Sequence, residues 1–304
     1  MAKNAIAQIN RTTDGFNVGH TITLPNGTVL ARTVNRDPYR RSLAAGVSNA
    51  IEGSMAFDYR YDYDLLGRAI SRNDDAFDYN TRSEVTSATI QPSHTNHYDY
   101  DNIGNNQWTT VNGATNTYAA NALNQYTNIL CAPAPPREIL PTYDPDGNLL
   151  TNGAWSYAWD AENRLTAVYS NATLIVSSGY DPQHRRVVKT TPSGTTVFLY
   201  DGWLPVLEKL LRADGAAEVR EHVWGKDLSG TRDGAGGVGG LLATRIGDAW
   251  YFPLYDANGN ITDYINDTGA NVAHRAYDAF GNTIIATGPM GNNFNFWFST
   301  KYLD

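Results

Sequence analysis

One short pattern constrains this chain more than any other feature. It is Tyr-Asp-x-x-Gly-Asn/Arg, and it returns at intervals along the sequence. Clean copies read Tyr63-Asp64-Leu65-Leu66-Gly67-Arg68, Tyr100-Asp101-Asn102-Ile103-Gly104-Asn105, Tyr143-Asp144-Pro145-Asp146-Gly147-Asn148, Tyr255-Asp256-Ala257-Asn258-Gly259-Asn260 and Tyr277-Asp278-Ala279-Phe280-Gly281-Asn282. Looser copies begin at Tyr79, Trp159, Tyr180 and Tyr200, and Asn121–Thr127 is a degenerate one. Successive starts lie mostly about 16–22 residues apart, the range of repeat architectures.

Asp-x-x-Gly is the signature of a type I turn, with Asp at its first position and Gly at its fourth. The Asp carboxylate can accept backbone N–H groups inside the turn. The Gly takes the left-handed conformation of a three-residue hairpin loop with a G1 bulge. A Cβ there costs roughly 1–2 kcal/mol, so Gly147→Ala and Gly281→Ala are each expected to weaken their hairpins by about that much. The flanks alternate as strands do. Leu165, Ala167 and Tyr169 share one face, while Arg164, Thr166 and Val168 share the other. A lone hairpin is marginal in water, so the repeats must pair sideways. The expected fold class is all-β: repeat hairpins forming one continuous, strongly curved antiparallel sheet, a partial and open β-shell or spiral. About ten hairpins give roughly twenty strands.

The chain divides by pattern into residues 1–56, a lead-in of strands, and 57–304, the repeat sheet. In the lead-in, Thr21–Leu24 and Thr28–Val34 flank Pro25-Asn26-Gly27, a hairpin with an Asn-Gly turn. Ser42–Ser54 is rich in small residues and reads as irregular. Three prolines within Ala132–Arg137 favour a surface loop. Pro205–Arg212 could be helical by propensity but, with Glu218–Trp224, reads as a pair of strands. Leu241–Thr244 resumes the sheet after a glycine cluster.

Composition narrows the function classes. Nineteen Tyr and 27 Gly suit a sheet with many turns. With 23 Lys and Arg against 31 Asp and Glu, the formal charge of −8 argues against a nucleic-acid groove. The single cysteine, Cys131, cannot form an internal disulfide. The opening residues lack the apolar core of a signal peptide, and no apolar run is long enough for a transmembrane helix, so no membrane insertion is expected.

Several fragments spell catalytic or ligand motifs, and each has a structural reading that is favoured. Gly234-x-Gly236-x-x-Gly239 matches a dinucleotide fingerprint, but no apolar strand precedes it and Gly237–Gly240 discourages a helix after it. Asp267-Thr268-Gly269 spells the aspartic-protease tripeptide, yet Asn266 stands where an apolar residue is usual, and a turn explains the letters. Asp144-x-Asp146-Gly147-Asn148 and Asp256-x-Asn258-Gly259-Asn260 share spelling with calcium loops, but Gly falls fourth rather than sixth. His94 and His97 could ligate zinc only with partners from elsewhere, and none is identifiable. The motif tyrosines could stack on sugars, but regular recurrence favours packing between neighbouring hairpins. No catalytic, cofactor-binding or metal residue is assigned, no cofactor is expected, and the chain reads as non-enzymatic.

The repeat resembles that of the YD-repeat, or Rhs, family, which includes bacterial polymorphic toxins, insecticidal toxin-complex components and the shell of animal teneurins. The resemblance covers roughly 57–304. Besides the repeats it rests on Tyr200-Asp201-Gly202-Trp203, on Trp224–Gly230, on the Gly234–Gly240 cluster and on the tail Phe294–Asp304. It implies a long β-sheet that spirals into a hollow shell around a C-terminal toxic domain. The tail looks like the run leading into the Rhs-associated core. The resemblance thus implies that the core, its cleavage aspartates and the toxin would lie beyond Asp304. No family catalytic residue matches a position here. The family points to a secreted or cell-surface setting, although the chain shows no signal peptide.

The resulting expectation is a structural, encapsulating segment of an Rhs-type protein, with a C-terminal toxin or core segment as its partner. The alternative is a surface module that binds a glycan or another protein. A self-cleaving aspartyl protease is the least favoured reading. Self-association through open sheet edges is a further expectation.

Overall fold

A computed structural model describes residues 8–14, 17–24, 26–40, 42–132 and 137–304. The proline stretch at 133–136 therefore lies outside the described residues, as does Pro25. The chain forms two compact units: 1–77 with 201–206 and 220–304, and 78–200 with 207–219. Among the described residues the secondary structure is 27 β-strands and one short 3-10 turn at Phe298–Thr300. This is the all-β class expected. Nearly every strand is paired antiparallel with its chain neighbour, as hairpin repeats require.

The turns form for the reason that the motif suggests. In each clean copy the Gly N–H donates to the Asp carbonyl three residues before it, at 3.0 Å for Gly67 and 3.2 Å for Gly281. The Asp N–H donates to the carbonyl of the sixth motif residue, at 3.0 Å for both Asp144 and Asp278. Gly67, Gly104, Gly147, Gly259 and Gly281 all have positive φ, between 76° and 95°. The register shifts by one residue beside each turn, as between Leu254 and Tyr255 and between Ala276 and Tyr277. That is the bulge the loop requires. In looser copies Ser83, Asn124, Asn163 and His184 hold the left-handed position, with φ of 57–67°.

Three features differ from the sequence reading. First, Ser42–Ser54 is not irregular: Ala44–Ile51 is a strand paired on both sides, with Val29–Arg36 and with Ser54–Tyr63. Its small residues permit close packing, since a Cβ on Gly46 would stand 2.9 Å from the Tyr59 carbonyl oxygen. Second, the ladder is not unbroken. In the second unit Arg137–Ile139 closes one sheet and Thr142–Tyr143 opens the next. Pro141, which has no N–H to donate, lies in the gap. Third, there are more strands than the roughly twenty expected, because the lead-in also forms a meander. Pro205–Arg212 is extended, within the strand Leu204–Arg212, as read.

Two apolar clusters form in the first unit. Ile22, Leu24 and Leu30 pack with Ala243, Phe252, Leu254 and Ile265. A second cluster joins Tyr255, Ile261, Tyr264 and Tyr277 to Phe294, Phe296 and Trp297. The tail thus folds back as core. Phe294 stacks on Tyr264 with ring centroids 3.7 Å apart, and the Arg275 guanidinium lies 4.4 Å from the Trp297 ring centroid.

Candidate functional site

The repeating polar unit is built from three motif residues. The carboxylate of the motif Asp accepts from the N–H groups two and four residues later through one oxygen. Its other oxygen takes the side chain of the sixth motif residue. For Asp278 the donors are Phe280 N, Asn282 N and Asn282 Nδ2, at 2.9, 2.9 and 2.8 Å. For Asp181 they are Gln183 N, Arg185 N and Arg185 Nε, at 2.9, 3.0 and 2.7 Å. This explains why the sixth position is Asn or Arg, a role the sequence reading did not assign. The side-chain bond from Asn148 is the leading reason that the Asp144 carboxyl is held below its ordinary 3.8, and Asn105 does the same for Asp101.

The motif aromatic has a second role beyond filling space. Its polar atom donates to the backbone carbonyl just beyond the previous turn. Tyr180 Oη donates to Leu165 O at 2.7 Å, Tyr200 Oη to Arg186 O at 2.9 Å and Tyr277 Oη to Ile261 O at 2.6 Å. Where Trp replaces Tyr, Nε1 makes the same bond: Trp159 to Leu149 O at 2.8 Å and Trp224 to Pro205 O at 2.7 Å. Each hairpin is thereby stapled to the one before it.

One copy differs from the others. The turn Tyr255–Asn260 is buried in the first unit, with Asp256 fully inaccessible. Burial pushes the Asp256 carboxyl above its ordinary value, against the pull of Arg72 and of its Asn260 and Asn258 donors. Segments far apart in sequence close over this turn. Asn49 Nδ2 donates to Tyr255 O at 3.1 Å, the Ala257 N–H donates to Tyr61 Oη at 3.0 Å, and Arg72 Nη1 lies 3.4 Å from Asp256 Oδ2. The Arg32 guanidinium covers the Tyr255 ring at 4.4 Å. From the tail, Thr300 Oγ1 donates to Gly259 O at 2.7 Å, and Ser299 N donates to Asn260 Oδ1 at 2.8 Å. A neighbouring carboxylate, Asp263, is also fully buried. Its Oδ1 meets Asn271 Nδ2 and His274 Nδ1, each at 2.8 Å. The hydrogen bond to Asp263 is the main reason that His274 is held above its ordinary value. Asp263 was legible in one respect: it lies midway between Ile261 and Ile265, on the apolar face of its strand.

The motif-like fragments resolve into turns. Gly234–Gly240 folds around Asp227, whose Oδ2 accepts from Ala235 N at 2.6 Å and Gly237 N at 3.2 Å. The amides that a nucleotide phosphate would need are thus bound to an anion of the chain itself. Asp267-Thr268-Gly269 is the middle of a further motif turn in which Asn266 replaces Asp. Asn266 Oδ1 accepts from Thr268 N at 3.0 Å and Ala270 N at 2.9 Å, and Asp267 is exposed. Asp144 and Asp256 serve their own turns, and they lie in different units. His94 Nδ1 sits 3.3 Å from Asn112 Nδ2 and His97 is exposed. Among the described residues no three His, Cys, Asp or Glu side chains gather as a metal site.

The chain is similar to known proteins. A family model described as RHS Repeat matches residues 159–196. The tRNA3(Ser)-specific nuclease WapA of Bacillus spizizenii is 28% identical over 211 residues, covering 67% of this chain and 8% of that protein. The tRNA nuclease WapA of Bacillus subtilis strain 168 is 29% identical over the same length, with the same coverage. The chain therefore spans under a tenth of the length of these curated relatives. Among solved structures, the Photorhabdus luminescens Tc holotoxin pore carrying TccC3-D651A aligns with 95% of this chain and 20% of its own, at 12% identity and a TM-score of 0.40. The matched repeat and the similarity to these relatives support an Rhs/YD-repeat family for this chain.

Proposed function

We propose that this chain is a non-enzymatic wall segment of a larger Rhs-type toxin protein, whose role is to form part of a β-shell beside a C-terminal effector. The observation that carries this reading is the use of the motif side chains. Tyrosine hydroxyls staple consecutive hairpins and aspartates saturate their own turns, so the recurring polar groups serve the wall itself. Similarity to proteins named as tRNA nucleases, over a small fraction of their length, agrees with a segment that accompanies a catalytic domain. A glycan-binding sheet is the weaker reading, because the motif rings that would stack on sugars are tied by their polar atoms to the neighbouring hairpin.

The test is the mass of the protein in its native source, detected with an antibody against residues 57–304, followed by limited proteolysis. A much larger polypeptide, whose C-terminal piece survives protease only while the repeat segment is intact, is the expected result. A C-terminal piece digested equally fast with and without the repeat segment would remove the shell role. Cleavage of RNA or of its own backbone by the isolated chain, lost on Asp267→Asn or Asp256→Asn, would refute the non-enzymatic reading.

A further inference from the structure

Beside the buried turn, within the first unit, lies a cavity of 180 Å³. Its lining includes His20, Arg32, Arg36, Lys226, Asp227 and Gly239. Two arginines, a lysine and a histidine therefore line the cavity with one carboxylate, in a chain whose formal charge is −8. That carboxylate is already occupied. Asp227 Oδ1 accepts from Ser229 N at 2.9 Å and Ser229 Oγ at 2.6 Å, and Oδ2 accepts from Ala235 N and Gly237 N. Its charge is spread into its own glycine loop, beside the cationic side chains that share the lining.

Arg32 supplies a second, independent observation. Its Nη1 donates to Gly239 O at 3.0 Å and its plane covers Tyr255, which fixes the guanidinium in place. Its Nε is enclosed by the protein without a hydrogen-bond partner, and it is the side chain as a whole that lines the cavity. Guanidinium donors match the paired oxygens of carboxylate and phosphate groups, and a nearby ammonium adds a mobile point charge. Lys226, exposed at this cavity, provides that charge. The volume falls below the roughly 300–1,000 Å³ typical of sites for larger organic ligands. It suits a group of a few heavy atoms.

We propose that this cavity binds a compact oxyanion, a phosphate group or a carboxylate, between the fixed Arg32 guanidinium and the Lys226 ammonium, with Arg36 adding charge. The site is separate from the wall role proposed above and does not depend on it. The turn that it adjoins is the one closed over by the lead-in strands, the glycine loop and the tail. Occupancy would therefore tighten the Arg32–Gly239–Tyr255 contacts that hold this unit together.

The experiment is a ¹H–¹⁵N NMR titration of the whole chain at fixed ionic strength, with inorganic phosphate in one arm and acetate in the other. Resonances of His20, Arg32 and Gly239 are expected to follow a saturable one-site curve. Saturation by phosphate alone assigns a phosphate group, and saturation by acetate alone assigns a carboxylate; either supports the proposal. Lys226→Gln, a change at an exposed side chain, is expected to weaken binding roughly three- to tenfold. Lys209→Gln, in the other unit, is expected to leave it unchanged. Shifts that rise linearly without saturation in both arms, or equal affinities for Lys226→Gln and the parent, would overturn it.

Discussion

Gly147 and Gly281 hold the same place in the repeat and almost the same backbone conformation, with φ of 88° and 89°. Sequence alone assigns them the same sensitivity to alanine, but their surroundings differ. A Cβ at Gly147 meets nothing closer than Gln125 Nε2 at 3.7 Å, an ordinary contact with a flexible side chain. A Cβ at Gly281 would stand 2.6 Å from Cδ1 and Cε1 of Phe298 and 2.8 Å from its Cγ. That ring is held edge-on to Tyr277, with centroids 5.4 Å apart, so it has little freedom to withdraw. Gly147→Ala should therefore cost only the left-handed penalty, about 1–2 kcal/mol. Gly281→Ala should add an overpacking cost of about 1–3 kcal/mol, for a total of about 2–5 kcal/mol. Because the two residues belong to different units, a single melting curve would mix their responses. Amide hydrogen exchange read by mass spectrometry on peptides spanning 143–149 and 277–283 reports each turn separately. The double variant Gly281→Ala with Phe298→Ala should recover part of the loss, since the clash disappears with the ring. Equal losses of protection in the two single variants, or strict additivity in the double, would refute this account of the turn.

Two further outcomes follow from the staple and from the buried carboxylate. Tyr180→Phe removes the 2.7 Å bond to Leu165 O while keeping the ring, and should lower stability of the second unit by about 0.5–1.5 kcal/mol; an unchanged urea midpoint for that unit would show the hydroxyl to be incidental. His274, raised by its bond to Asp263, should titrate above its ordinary 6.5 by NMR, and Asp263→Asn should bring it down. Because the folded-state value is the higher one, this pair contributes stability that is complete below pH 6.5 and is lost as pH rises through the folded value. A first unit whose stability shows no fall across that interval would contradict the assignment.

The turn itself was legible because all of its parts lie within a few residues. The donor, the carboxylate and the left-handed glycine of Asp278–Asn282 are contiguous, so local chemistry fixes the hairpin wherever the letters occur. The same local logic disposed of Asp267-Thr268-Gly269, where Asn266 takes over the capping role. The resemblance to the Rhs/YD-repeat family was legible for the same reason, since it rests on the repeat. Two features went unread although their residues were in view. Pro141 marks the break in the ladder, and the small residues of Ala44–Ile51 hid a strand whose value lies in how closely it packs.

What only the tertiary structure decided is which copy of the motif leaves the surface. Asp144 and Asp256 occupy equivalent turns, yet one carboxyl is held below its ordinary value and the other is pushed above it. The difference comes from Asn49, Tyr61 and Arg72, about 200 residues before Asp256 in the chain, and from the tail at Ser299 and Thr300. A turn's hydrogen bonds are determined over five residues. Its desolvation is determined by whatever packs on top of it, and the spacing of the repeats carries no record of that.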